Sequence, residues 1–280
     1  MSKTGESEAL ALADLRARID AIDERLHRLL IERGSVIDAL IRAKGTNAPA
    51  AAFRPGREAE MMRRLVARHA GELPLFAVEH IWREIISTFT HMQAPFALAV
   101  DGAADAAEMR DLARFYFGFS VPLETVPDAA AVVARVAATG RDLGLVALGQ
   151  PSRSGAWWRA LVGEKAPRIM ALLPFLRMPG RPAATPAFVV SPPLSDPTPA
   201  DLAVFAATGK ADSAVLAKAG AELLVAAGDD ALIAAPADID FATASGLTEI
   251  ARVGGIARGI CVGGPGSLLY APAGARKEPA

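Results

Sequence analysis

The chain lacks most of what nucleophilic or metal catalysis needs. It has one cysteine, Cys261. A lone cysteine closes no internal disulfide, and with four scattered histidines it builds no zinc cluster. His27, His69, His80 and His91 share no ligand spacing and read as surface or packing residues of helices. Cys261 itself, in GICVGG, reads as a buried small hydrophobe. An excess of charge of one sign is also missing. The 30 basic and 31 acidic residues leave a net charge of −1, which does not fit a nucleic-acid-binding protein. No apolar run is long enough to span a bilayer, because Asp, Glu, Lys or Pro interrupts each one. MSKTGESEAL has no signal-peptide core. Gly263, Gly264 and Gly266 open no helix after a strand, so they read as a turn and not as a dinucleotide fingerprint. The expectation is a soluble cytoplasmic protein with no cofactor, no metal, no membrane and no nucleic acid.

What is present is a globular composition, 52% hydrophobic and 22% charged over 280 residues. The pattern changes near Gln93–Pro95. Before it, helix periodicity dominates. After it, short apolar runs bounded by Gly and Pro read as strands: FALAVDG (96–102), DLGLVALG (142–149), RIMALLPFL (168–176) and AFVVSPP (187–193). PDAAAVVARVAATG (127–140) reads as a helix stopped by glycine. SPPLSDPTPADL (191–202) reads as a linker. Beyond it, DLAVFAATG and DDALIAAPA read as strands, DSAVLAKAGAELLVAAG as one helix and GLTEIARVGG as a second. The expected class is multidomain: a helical domain over 1–94, an α/β or α+β domain over 95–194, and an α+β domain over 200–280.

Leu12, Leu15, Ile19, Ile22, Leu26, Leu29, Leu30, Ile37, Leu40 and Ile41 recur at spacings of three and four. They predict one amphipathic helix from about residue 8 to about residue 45. A second helix is expected from Pro55 and a third from near Pro74. Three helices so unequal in length leave the first overhanging, and dimerisation along it would bury the excess apolar surface. Two cations, Arg33 and Lys44, continue the apolar stripe of that first helix. A buried cation without a partner is costly. Snorkelling, or pairing with Glu58, would explain one of them. With Arg16, Arg57, Glu58 and Gln93 similarly placed, a small dianionic ligand explains the set. Arg16 and Arg33 are 17 residues apart, roughly 25 Å along one helix, so they reach one small ligand only from two different chains.

LRARIDAIDERLHRLLIERGSVIDALIRAK, FRPGREAEMMRRL and IWREIISTFTHMQ together resemble the all-helical class of chorismate mutase, over about residues 8 to 93. The resemblance implies an intertwined homodimer that converts chorismate to prephenate in phenylalanine and tyrosine biosynthesis. It implies substrate binding by Arg33 and Arg57 of one subunit and by Arg16 of the other. Lys44 and Gln93 would bond the ether oxygen, and Glu58 the ring hydroxyl. Arg54 and Phe89 stand where some members have an aspartate and a serine.

In many bacteria such a mutase is fused to prephenate dehydratase and an ACT domain. Residues 123–191 resemble part of the dehydratase, but Thr185-Pro186-Ala187-Phe188 replaces its Thr-Arg-Phe motif. The region is also about half the length that a two-lobed dehydratase needs. It reads as a degenerate, inactive dehydratase-like domain, with Thr185 a loop residue. Residues 200–272 have the element order of an ACT domain, with an aromatic amino acid as the effector that this implies. Two alternatives stand beside the mutase: a bifunctional mutase–dehydratase, and a non-catalytic dimeric ligand-sensing or interaction protein.

Overall fold

The structure is a computed structural model describing residues 3–44, 53–149, 152–194, 200–239 and 241–273. It divides into two compact units, one over 1–47 and one over 48–280.

The first unit is a single helix, α1 (Lys3–Lys44), of 42 residues. At 1.5 Å per residue it is about 63 Å long. Leu12, Leu15, Ile19, Ile22, Leu26 and Leu29 are 48–58% exposed, so this part of its apolar stripe is left uncovered by the described residues.

The second unit begins with α2 (Pro55–Arg68) and α3 (Leu75–Gln93). Pro55 opens α2, where its missing N–H costs nothing. Next come β1 (Leu98–Asp101), α4 (Ala106–Phe117), β2 (Leu123–Val126), α5 (Ala129–Thr139) and β3 (Leu143–Ala147). The three strands are parallel in the order β2-β1-β3. Asp105 caps α4 by accepting from the N–H groups of Ala107 and Glu108, and Asp128 caps α5 by accepting from Ala131. Gly140 ends α5 in the left-handed region, at φ 62°. Leu112 and Met109 of α4 pack with Leu98, Val100 and Leu145, whereas Val132 and Val136 of α5 pack with Ala99 and Val146. The two helices therefore cover opposite faces of the parallel strands, since neighbouring strand residues point to opposite sides.

A 3-10 helix (Trp157–Leu161) places Trp157 and Trp158 in the core, edge to face at 5.7 Å. It is followed by β4 (Arg168–Leu173), β5 (Leu176–Arg177) and β6 (Ala187–Ser191). The chain then forms β7 (Leu202–Thr208), α6 (Ser213–Lys218), β8 (Glu222–Ala227), β9 (Asp230–Ala235), α7 (Ala242–Ser245) and β10 (Thr248–Ile256). Finally β11 (Gly259–Cys261), which holds the buried Cys261, pairs with β5 on one side and with β12 (Tyr270–Pro272) on the other in a small sheet.

Two expectations for the tail are overturned. The helix foreseen over 212–228 is α6 followed by β8, because the turn at Gly220 (φ 74°) stops the helix and Leu224 and Val225 go into the sheet. The helix foreseen over 246–255 is β10, whose Val253 and Ile256 are buried strand residues. The result is a β-α-β-β-α-β unit with antiparallel neighbours in the order β10-β7-β9-β8. A helix in place of β10 would have left β7 unpaired on one edge. Of the linker foreseen over 191–202, residues 195–199 lie outside the described residues.

One nine-stranded sheet, β2-β1-β3-β6-β4-β10-β7-β9-β8, runs through both regions expected as separate domains. The joint is β4 against β10, where Gly254 pairs with Ile169. A Cβ on Gly254 would lie 2.2 Å from the Ile169 carbonyl oxygen, so only glycine allows that approach. Helices α2 and α3 pack on this body: Met62, Leu65 and Val78 contact Phe175, Leu176 and Ile260. The boundary expected at residue 94 thus falls inside the second unit.

Candidate active site

Three of the six expected site residues lie on α1. Arg16 is exposed and Arg33 half-buried, and Lys44 is the last helical residue. Three belong to the second unit. Arg57 is exposed in the first turn of α2, beside the half-buried Glu58. Gln93 ends α3, where its Nε2 donates to the Phe89 carbonyl at 3.0 Å. Arg54, the N-cap residue of α2, and Phe89 are both half-buried.

Glu58 meets a partner that sequence reasoning missed. Arg83 Nη1 donates to Glu58 Oε2 at 2.9 Å. Burial pushes the Glu58 carboxyl above its ordinary value of 4.5, while the Arg83 guanidinium opposes the shift by charge and hydrogen bond. Arg83 lies over the Tyr116 ring at 4.9 Å. The Tyr116 hydroxyl donates to Glu79 Oε1 at 2.9 Å and accepts from the Phe175 N–H at 2.9 Å. Arg181 Nη2 donates to Glu79 Oε2 at 2.8 Å. Two carboxylates, two guanidiniums and one phenol thus form a buried, charge-balanced network joining α2, α3, α4 and the loop before β6. Burial and the Glu79 charge hold the Tyr116 hydroxyl protonated well above the usual range, against the pull of Arg181 and Arg83.

The signal for this network was in the sequence. Glu79, Arg83, Ser87 and Thr90 recur at helical spacing and are the buried face of α3 together with Val78. The more apolar face, with Ile81 47% and Met92 60% exposed, is the one left open.

A second cluster lies at the carboxyl ends of β1 and β3. A cleft of about 360 Å³ is lined by Asp101, Asp105, Glu108, Arg153, Trp157 and Thr185, among others. Asp101 is buried, and its Oδ1 accepts from the Ala103 N–H at 3.0 Å. Burial raises its pKa above 3.8, opposed by the backbone N–H groups of Ala103 and Ala147 and by Arg153. The Thr185 hydroxyl donates to Glu108 Oε2 at 2.6 Å. Among the described residues no group of three His, Cys, Asp or Glu side chains is arranged to hold a metal ion. No described helix is long and apolar enough to cross a membrane.

The helices from Leu15 to Ala94 can now be set beside known proteins. Residues 15–94 match the family chorismate mutase type II. The chain is 32% identical over 119 residues to the bifunctional chorismate mutase/prephenate dehydratase of Stutzerimonas stutzeri, covering 41% of this chain and 32% of that protein. It is 36% identical over 87 residues to the enzyme of the same name from Neisseria gonorrhoeae, covering 31% of this chain and 23% of that one. The chain thus spans a third or less of the length of these two curated relatives. The solved prephenate dehydratase from Streptococcus mutans overlaps 57% of this chain and 97% of its own, at 13% identity and a TM-score of 0.36. That overlap is too loose to establish a shared fold. An N-terminal helical segment similar to chorismate mutase, followed by a mixed α/β sheet region, is the architecture that emerges.

Proposed function

We propose that the protein is a chorismate mutase acting as a homodimer. The observation that carries this is the match over residues 15–94, which includes α1 from Leu15 onward, α2 and α3, with Arg16, Arg33, Lys44, Arg57, Glu58 and Gln93. Conversion of chorismate to prephenate is an intramolecular rearrangement. The ether carbon–oxygen bond breaks while a carbon–carbon bond to the ring forms, and no nucleophile is needed. The catalyst must hold the enolpyruvyl arm over the ring, which is an orientation effect. Arg33 and Arg57, with Arg16 of the partner subunit, take the two carboxylates. The catalyst must also meet the negative charge that builds on the ether oxygen. Lys44 and Gln93 donate there, and Glu58 takes the ring hydroxyl.

The uncovered apolar stripe of α1 supports the dimer, with a second copy of the chain as its occupant. In the second unit, no arginine stands between Thr185 and Phe188, and the Thr185 hydroxyl is committed to Glu108. Both points favour a mutase without dehydratase activity.

The test follows chorismate absorbance with purified protein and assays phenylpyruvate without an acid step. Chorismate loss with prephenate accumulating is the expected result. Phenylpyruvate at neutral pH would establish the bifunctional reading, and no loss of chorismate would turn the assignment towards a sensing protein.

A further inference from the structure

The two buried arginines of the network do different work. Arg181 bonds Glu79, the Tyr116 hydroxyl and the Ala183 carbonyl, and so ties α3, α4 and the loop before β6 together. Arg83 makes one hydrogen bond among the described residues, to Glu58. Each leaves its Nε buried without a partner among those residues. A buried ion pair gives little net stability over apolar side chains of the same volume, and an unmet donor adds to the cost. For Arg181, three bonds across three elements offset that cost. For Arg83, the gain lies in what its one bond does to Glu58.

A glutamate carboxylate turns over a broad range about its last bond. The Arg83 bond to Oε2 removes that freedom. It leaves Oε1, which makes no hydrogen bond among the described residues, on a side chain that is 18% exposed. Arg83 is itself held. Its guanidinium lies over the Tyr116 ring at 4.9 Å, and that ring is clamped at its hydroxyl by Glu79 and by the Phe175 N–H. A planar guanidinium stacks on a ring in this way, which an ammonium does not. Tyr116 belongs to α4, outside the segment that matches the mutase family.

We propose that Arg83 is a positioning residue for the mutase reaction: it fixes the Glu58 carboxylate through Oε2 so that Oε1 takes the ring hydroxyl of chorismate, with Tyr116 as its platform. The proposal rests on the mutase reading. A group of the sheet unit then takes part in aligning the ring beneath the enolpyruvyl arm, where a misplacement of about 1 Å costs about 10²-fold in rate.

Steady-state kinetics on chorismate with the full chain test this, using Arg83→Met, Glu58→Gln and the variant that carries both. Arg83→Met should lower kcat/KM at least about tenfold, with KM raised at least about threefold. A merely structural loss removes folded protein, which lowers apparent kcat and leaves KM where it was. Because Arg83 acts through Glu58, adding Arg83→Met to Glu58→Gln should cost less than about threefold more. The double variant holds neither buried charge, so its comparison with Glu58→Gln decides the matter even where Arg83→Met alone does not fold. An equal loss with and without Glu58 overturns the proposal, as does an unchanged KM in folded Arg83→Met. Turnover by the unaltered chain together with an unimpaired Arg83→Met overturns this proposal alone. No turnover by the unaltered chain overturns the mutase reading, and the role of Arg83 with it.

Discussion

Helix α1 carries leucines and isoleucines at core spacing and leaves six of them about half exposed, whereas β6 buries all five of its residues between β3 and β4. The two regions obtain stability from different sources. The sheet buries its apolar surface against its own chain, so its folding is set within one molecule. A lone helix has little to hold it beyond its own hydrogen bonds. If α1 gains its cover from a second copy, its stability depends on protein concentration. On the proposed mutase reading, the cations of α1 would be assembled by association, while Glu58 and Gln93 are carried by the unit that holds the sheet.

The largest effect should come from the buried network. Arg181→Met leaves Glu79 buried without its ion pair and should cost about 3–5 kcal/mol, read as a lower denaturant midpoint for the sheet signal. An unchanged midpoint would mean that the network is not what ties α3 to the body. Next comes the helix. Arg33→Ala should lower kcat/KM about 10²-fold with the dimer intact, the order of loss when a substrate-positioning contact is removed. Retained turnover would leave α1 with dimerisation alone. A smaller, conditional effect is expected from Leu26→Glu, which puts a charge in the exposed stripe. Light scattering should show dimer giving way to monomer, while the sheet unfolds at the same midpoint. A coincident loss of both signals would erase the contrast between the two regions.

The smallest effect concerns the chain's two tyrosines, Tyr116 and Tyr270. Both are buried in the second unit, and burial pushes Tyr270 up to about 12, opposed by Arg177. A raised folded-state value means that stability is fully present below the unfolded value of 10.0. It is lost as pH rises from there through about 12. Tyrosinate absorbance should therefore stay low at pH 11 in the folded protein and rise at once on unfolding. Normal titration near pH 10 would show that the body opens more readily than its burial implies.

Much of this was legible in the residues. Pro55, the three-and-four spacing of α1, and Gly140 after an alanine-rich run each mark an element end or face through a local rule. β1, β3 and β6 were legible because short apolar runs flanked by glycine and proline have few other uses. The tail was misread where local preference is weak. Ala219-Gly220 interrupts an alanine-rich stretch that could continue as helix, and only pairing with β9 makes 222–227 a strand. The polar stripe of α3 was visible but has no meaning until α4 and the 181–185 loop supply Tyr116 and Arg181.

By itself the sequence determined the approximate extent of the first helix, where the second and third begin, the apolar and cationic stripe of the first, and the type of chemistry those cations suit. These depend on spacing along one element, which is local. Only the tertiary structure decided that α2 and α3 sit on the sheet body, that Glu58 is held by Arg83, and that one sheet, joined where Gly254 pairs with Ile169, includes strands from both regions expected over 95–194 and 200–280. Those outcomes depend on contacts between residues far apart in the chain, whose partners no local pattern names.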